Sequence, residues 1–201
     1  MNPIPKLVIL GRDGILNQYR DDHVKEPSEW VPVPGALDAL ARLNHAGWHA
    51  VIATNQAGIG RGMIDMAALN AVHAHMMKVL AQQGGRIDAV FLCPHTPEDH
   101  CDCRKPLPGL MLDIGRRYGV DLGQVPLVGD TARDMLAARA AGCQPHLLRS
   151  GRGAALDDAQ LQQLLAQVPG LQVHADLSAF ADYLLQREQP DGSTLDGEGS
   201  R

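Results

Sequence analysis

The chain has 201 residues, 45% of them hydrophobic and 20% charged, which is ordinary globular usage at a length that one domain with a sizeable core can fill. A formal charge of -5 and a pI near 5.9, without clustered Lys or Arg, argue against a nucleic-acid or anionic-membrane surface. No apolar run approaches the ~20 residues that span a bilayer, and MNPIPKLVIL lacks the layout of a signal peptide, so the expected location is cytoplasmic.

Taken in order, residues 6–10 form a short apolar run that predicts a buried parallel strand. Gly11-Arg12-Asp13-Gly14 follows, presenting Asp13 at the carboxyl end, where open α/β sheets bind ligands. Residues 17–34 are polar and punctuated by Pro27, Pro32 and Pro34, a loop over the sheet end. A helix over 36–45 has Leu37, Leu40 and Leu43 at helical spacing and Gly47 as its stop. Residues 48–53 predict the next strand, ending in Thr54-Asn55-Gln56 and a glycine-rich bend over 57–62.

A long helix over 65–83, capped by Asp65, puts Leu69, Val72, Met76 and Leu80 on one face. A third strand over 87–93, an irregular loop over 94–107 and a helix over 109–118 come next. A fourth strand over 124–128 ends at Gly129-Asp130; a helix over 132–141 stops at Gly142; a fifth strand covers 145–148. Helices over 157–167 and 177–186 complete one domain of residues 1–188, and the polar, Gly-rich tail 189–201 is expected to be disordered. The alternation predicts an α/β, Rossmann-like parallel sheet with helices on both faces and no large cap.

Three strand ends carry complementary groups: Asp13, then Thr54 and Asn55, then Asp130, with Arg104 and Lys105 entering from the loop after the third strand. Carboxylates beside donors and cations suit a phosphate held with Mg²⁺, a cation that prefers hard oxygen ligands. A second group, Cys93, His95, Cys101 and Cys103, is a complete Cys₃His set, the composition of a structural Zn²⁺ site. In a reducing compartment such clustering points to metal rather than disulfides. The loop it would clip leads directly into Arg104 and Lys105. His100 is a poorer-placed substitute ligand, Cys143 reads as a core residue, and His45, His49, His73, His75, His146 and His174 read as surface or packed side chains. His23 lies in the loop over the strand ends.

On LGRDGILN, TNQAGIGRG, CPH, CDCRKPLPG and VGDTARD, spanning roughly residues 7–148, the chain resembles the haloacid dehalogenase superfamily of phosphatases. The resemblance implies a nucleophilic Asp at position 11, with Asp13 as general acid and base. Thr54 would donate to a phosphoryl oxygen, with Asn55 and Gln56 in the same run, and Lys105 would supply fixed positive charge. Asp13 and Asp130 would hold Mg²⁺, Arg104 would bind substrate, and the loop 17–22 would approach a sugar. Asp134 divides between capping a helix and supporting the site.

Two groups in the superfamily carry such a zinc loop, one acting on a heptose bisphosphate and one on histidinol phosphate. The motifs, Pro108-Gly109 among them, resemble the first more closely, so the expected partner is a small sugar phosphate bound by a monomer. Position 11 departs from the pattern: it is Gly11, which has no carboxylate to attack phosphorus. The expectation is a chain that folds, binds zinc and phosphate, and turns over poorly or not at all; the alternative is a noncatalytic sugar-phosphate-binding relative.

Overall fold

Alternate residues of the first strand feed two different cores. The computed structural model describes residues 6–188, and in it β1 (Leu7–Leu10) lies buried between β2 (His49–Asn55) and β4 (Pro126–Gly129), both parallel to it. Val8 and Leu10 pack with α1 (Ala36–His45), α3 (Met66–Gln82) and α7 (Leu177–Gln186). Leu7 and Ile9 pack on the other face with α4 (Gly109–Tyr118), α5 (Ala132–Ala141) and α6 (Asp158–Gln167). A strand buried on both faces needs apolar residues at every position, which is why the run has no polar alternation.

With β3 (Ala89–Cys93), β5 (Gln144–Leu148) and β6 (Gln172–His174), the sheet has six parallel strands in the order β3-β2-β1-β4-β5-β6. The chain leaves β1 in one direction and returns to its other side at β4, so a crevice opens between their carboxyl ends; this is where such sheets bind ligands. Residues 11–14 and 130–131 therefore face each other by topology alone.

Helices α1, α5 and α7 have the expected bounds, and Asp65 caps α3 by accepting from the Ala68 N–H at 2.7 Å. The differences are local. The expected bend at 57–62 contains a one-turn helix, α2 (Ala57–Gly60). β4 begins at Pro126 because Leu122–Gln124 is taken up by a 3₁₀ turn under the Asp121 carboxylate. β6 is not among the expected strands: three residues at the sheet edge, two of them exposed and the third half-buried, give too short and too polar a signal. The tail from Gln189 lies outside the described residues. Among these, no helix is long and apolar enough to cross a membrane.

His146 and His174, on neighbouring strands, stack with ring centroids 5.3 Å apart, share an Nδ1···Nε2 contact of 3.0 Å, and are walled by Phe180 and Tyr183. Burial pushes His146 down to about 3 and His174 below its ordinary value; burial, then the Arg12 charge, lower His73 to about 4. His146 and His73 stay neutral in the fold but take protons in the unfolded chain below pH ~6.5, so stability falls as pH drops below that value. For buried His146 and His73 the loss is roughly 1.4 kcal/mol per pH unit each. Thermal unfolding midpoints should decline from pH 7 to pH 5, and His146→Leu should flatten that slope; an unchanged slope would assign it to other groups.

Candidate active site

The cleft at the β1/β4 crevice has a volume of about 220 Å³ and is lined by Gly11, Asp13, Thr54, Asn55, Arg104, Lys105 and Asp134 together with Tyr19, Arg20, Asp21 and His23. Arg12, Arg61, Arg133 and Arg152 also border it. Seven basic side chains (Arg12, Arg20, Arg61, Arg104, Lys105, Arg133, Arg152) therefore surround three acids (Asp13, Asp21, Asp134) in a chain whose formal charge is -5. A local field of opposite sign to the molecule draws anions to this cleft.

Asp13 is held on all sides. The guanidinium of Arg12, only 1% exposed, donates to it through Nη2 at 2.8 and 3.0 Å and through Nε at 3.2 Å. Asn17 Nδ2 and Gln56 Nε2 each donate at 3.0 Å. Burial alone would raise the Asp13 carboxyl, but the Arg12 charge and these hydrogen bonds bring it below the ordinary carboxylate range. On its far side Arg12 meets His73, Nη1 to Nε2 at 3.2 Å, so α3 buttresses the site.

Gln56 Nε2 also donates to Thr54 Oγ1 at 2.9 Å. The Thr54 oxygen thus accepts from within the protein, leaving its hydroxyl proton to be given to a ligand. Asn55 ties β2 to the next loop by a reciprocal pair, Nδ2 to the Lys105 carbonyl and Oδ1 from the Lys105 N–H, each 3.1 Å. Lys105 Nζ donates to the Ala53 carbonyl at 2.8 Å and pairs with Asp134 Oδ1 at 2.5 Å. Asp134 does two jobs: its other oxygen accepts from the Thr131 N–H and hydroxyl, a capping box at the start of α5.

Asp130, 1% exposed, is gripped by Arg152. Nη2 donates to Oδ1 at 2.9 Å, and Nε and the backbone N–H donate to Oδ2 at 3.1 and 2.9 Å. Burial raises this carboxyl, with Arg152 pulling the other way. Gly14 and Gly151 are required here: a β carbon at Gly14 would stand 2.0 Å from Asp130 Oδ2, and one at Gly151 2.6 Å. The Arg152 guanidinium in turn lies 4.3 Å over the ring of Tyr19. Arg152 and Arg12 have no assigned role in the sequence, and Tyr19 only that of the loop 17–22 to which it belongs. The strand-end rule applied to β5 would have reached Ser150-Gly151-Arg152, whereas nothing in the motif distinguishes Arg12.

At the adjoining loop, Cys93 Sγ, His95 Nδ1, Cys101 Sγ and Cys103 Sγ lie within 4.8 Å of one another. The contacts are 3.6 Å for Cys93–His95 and Cys93–Cys101, 3.5 Å for Cys101–Cys103 and 3.3 Å for His95–Cys103. Ligand atoms at about 2.3 Å around one tetrahedral Zn²⁺ stand roughly 3.7 Å apart, so the donor set fits that ion in composition and spacing. Arg104 Nη1 donates to the His95 carbonyl at 3.2 Å, joining the cluster to the cleft. His100 and Cys143 are not in the cluster. Gly109 lets α4 begin against the Asp102 carbonyl, where a β carbon would come within 2.5 Å. Reduced, freshly purified protein should contain one zinc per chain by elemental analysis, and Cys101→Ser should lower that occupancy; metal-free wild-type protein would refute the site.

A family model described as HAD-hydrolase-like matches residues 102–178. The chain is 53% identical over 184 residues to the D-glycero-beta-D-manno-heptose-1,7-bisphosphate 7-phosphatase of Bordetella bronchiseptica, covering 90% of this chain and 98% of that one. It is 46% identical over 180 residues to the enzyme of that name from Pseudomonas aeruginosa, with the same coverage. Among solved structures, the Bordetella bronchiseptica D,D-heptose 1,7-bisphosphate phosphatase complexed with magnesium and phosphate superposes with a TM-score of 0.82 at 52% identity, covering 90% of this chain and 99% of that one.

Proposed function

Because the chain belongs to the haloacid dehalogenase superfamily of phosphatases, phosphomonoester hydrolases among which its relatives are heptose-1,7-bisphosphate 7-phosphatases, we propose that its cleft binds D-glycero-β-D-manno-heptose 1,7-bisphosphate with the 7-phosphate over residue 11. The observation that carries this reading is the meeting of Asp13, Thr54 and Lys105 beside Gly11 in one basic cleft. The proposed roles follow from donor chemistry. Thr54 gives its free hydroxyl proton to a phosphoryl oxygen. Lys105, fixed by Ala53 and Asp134, faces the charge that shifts between oxygens during transfer. Asp13 is the general acid and base: held below the ordinary carboxylate range in the free protein, it takes up a proton as the anionic ester binds beside it, gives that proton to the leaving sugar oxygen and later takes one back.

Asn55 and Gln56 position these groups, and the arginines of the rim, Arg104 among them, receive the rest of the bisphosphate. Zinc at Cys93, His95, Cys101 and Cys103 acts at a distance, holding the loop that delivers Arg104 and Lys105. Supporting the metal part of the reading, Asp13 and Asp130 offer the hard oxygens that Mg²⁺ takes, and a relative was solved with magnesium and phosphate. When bound, the ion would neutralise phosphoryl charge.

Arg152 and that ion draw on the same Asp130 carboxylate. Arg152→Gln should therefore tighten Mg²⁺ binding, measured by calorimetry, by roughly fivefold or more, the lower end of an ordinary coupling energy. Unchanged affinity would show that the two cations do not compete.

Gly11 offers no carboxylate to form an aspartyl phosphate, so the chain as it stands binds its ester without turning it over at an enzyme's rate. A noncatalytic sugar-phosphate binder has the same cleft and differs in one respect: it gains nothing from a restored carboxylate. The deciding experiment assays Gly11→Asp with Mg²⁺ against the heptose bisphosphate and histidinol phosphate. Release of one phosphate from the bisphosphate, leaving the heptose 1-phosphate, supports the reading. Preference for histidinol phosphate, or inactivity toward both, rejects it.

A further inference from the structure

Position 11 has a backbone that would accept a side chain and has none. Its N–H donates to the Val128 carbonyl at 2.9 Å, and it is absent from the positive-φ glycines, so nothing in the backbone demands glycine. A β carbon built there meets only Ile15 Cγ1 at 3.2 Å and the Val128 carbonyl at 3.7 Å within 4 Å. Gly11 nonetheless borders the cleft, beside Arg12, Thr54 and Lys105. The cleft it borders has a volume of about 220 Å³, is set among cations and holds the proposed phosphate position.

We propose that this space takes a small free carboxylate, formate or acetate, which attacks the phosphorus of a bound phosphate ester in place of a tethered side chain. The proposal rests on the function proposed above. Acetate is an aspartate side chain severed at its Cα–Cβ bond, so it matches the room that a residue-11 side chain would fill. In the step, a carboxylate oxygen forms a bond to phosphorus while the phosphorus–oxygen bond to the sugar breaks. The electron pair stays on the sugar oxygen, which takes the proton that Asp13 acquires from water as the anionic ester binds beside it. The products are the sugar alcohol and an acyl phosphate. Unlike an aspartyl phosphate, the acyl phosphate is not attached to the chain and leaves the cleft, so the protein acts as a phosphotransferase to carboxylates.

The size of the effect follows from two magnitudes. Loss of a nucleophile costs about 10⁶ in turnover in a well-studied hydrolase, and a well-oriented tethered group is equivalent to roughly 10⁵ M or more of the free one. At about 0.5 M acetate the rate should therefore rise by at most about fivefold above the chain's own baseline. It should remain far below that of Gly11→Asp.

The test incubates the full chain with Mg²⁺, D-glycero-β-D-manno-heptose 1,7-bisphosphate and acetate, formate or butyrate, against chloride at equal ionic strength. Hydroxylamine is included because an acyl phosphate is a stronger phosphoryl donor than a sugar phosphate; it draws the acyl phosphate off as a hydroxamate. Acetate and formate should each yield hydroxamate in step with heptose 1-phosphate, butyrate much less, and Gly11→Ala should abolish the gain because its methyl group fills the space. Cleavage without hydroxamate, stimulation that survives in Gly11→Ala, or no stimulation while Gly11→Asp is active would each overturn the proposal and leave the function standing. Inactivity of Gly11→Asp as well would overturn both.

Discussion

Gly11→Asp is expected to raise phosphate release from heptose 1,7-bisphosphate by on the order of 10⁵ to 10⁶, the reverse of what removing a nucleophile costs. The gain depends on the surroundings being ready, and they are. Residue 11 keeps its backbone bond to Val128 whatever its side chain, and its β carbon asks Ile15 to give by only a few tenths of an ångström. The new carboxylate enters a cleft already bordered by Arg12 and Lys105, so it does not arrive as an uncompensated buried charge. Initial-rate assays on the two proteins, matched for zinc content, check this. A gain below about tenfold would mean that residue 11 does not reach phosphorus, and the chain would then be a binder rather than an enzyme lacking one group.

Lys105→Met is expected to cost about 3 to 5 kcal/mol of stability, because it strands Asp134. Lys105 and Asp134 side chains are 8% and 7% exposed and their contact is 2.5 Å. In a chain of this size the loss corresponds to a fall of roughly 10 °C in unfolding midpoint. Acid should reveal the same interaction. Burial works to raise the Asp134 carboxyl, but Lys105 and Thr131 hold it below the ordinary carboxylate range. Its contribution is thus complete above the unfolded value and disappears as pH falls through the lower folded one. Asp134→Asn beside Lys105→Met should recover part of the stability, since the stranded charge goes with it. Zinc content should be unchanged, because the four proposed ligands are untouched; zinc loss with Lys105→Met would show that the loop unfolds as a whole.

The sequence was legible where periodicity and punctuation agreed. The spacing of Leu37, Leu40 and Leu43 fixed a helix that ends at His45, as observed. Asp13, Thr54 and Lys105, which border one cleft, could be placed together because parallel strands deliver their carboxyl ends to one edge, whereas Asp130 is held by Arg152 and is not among the cleft's lining residues. The cysteines and His95 could be grouped because ligand chemistry restricts which residues cluster. What escaped reading depended on three-dimensional pairing. Arg12 sits between two motif residues yet is among the most buried side chains, because Asp13 and His73 need it there. Arg152 reaches Asp130 across 22 residues: the end of β5 marks its position, but the pairing itself depends on the two strands lying side by side. β6 gains its place from β5 rather than from its own three residues.

The most direct measurement is ³¹P NMR of heptose 1,7-bisphosphate mixed with the unaltered protein and Mg²⁺ and followed for hours. Both phosphate resonances should shift on binding while the 7-phosphate ester remains intact, the behaviour of a phosphate cradle with no attacking group. Unperturbed resonances, or rapid loss of the 7-phosphate signal without any carboxylate at position 11, would contradict it.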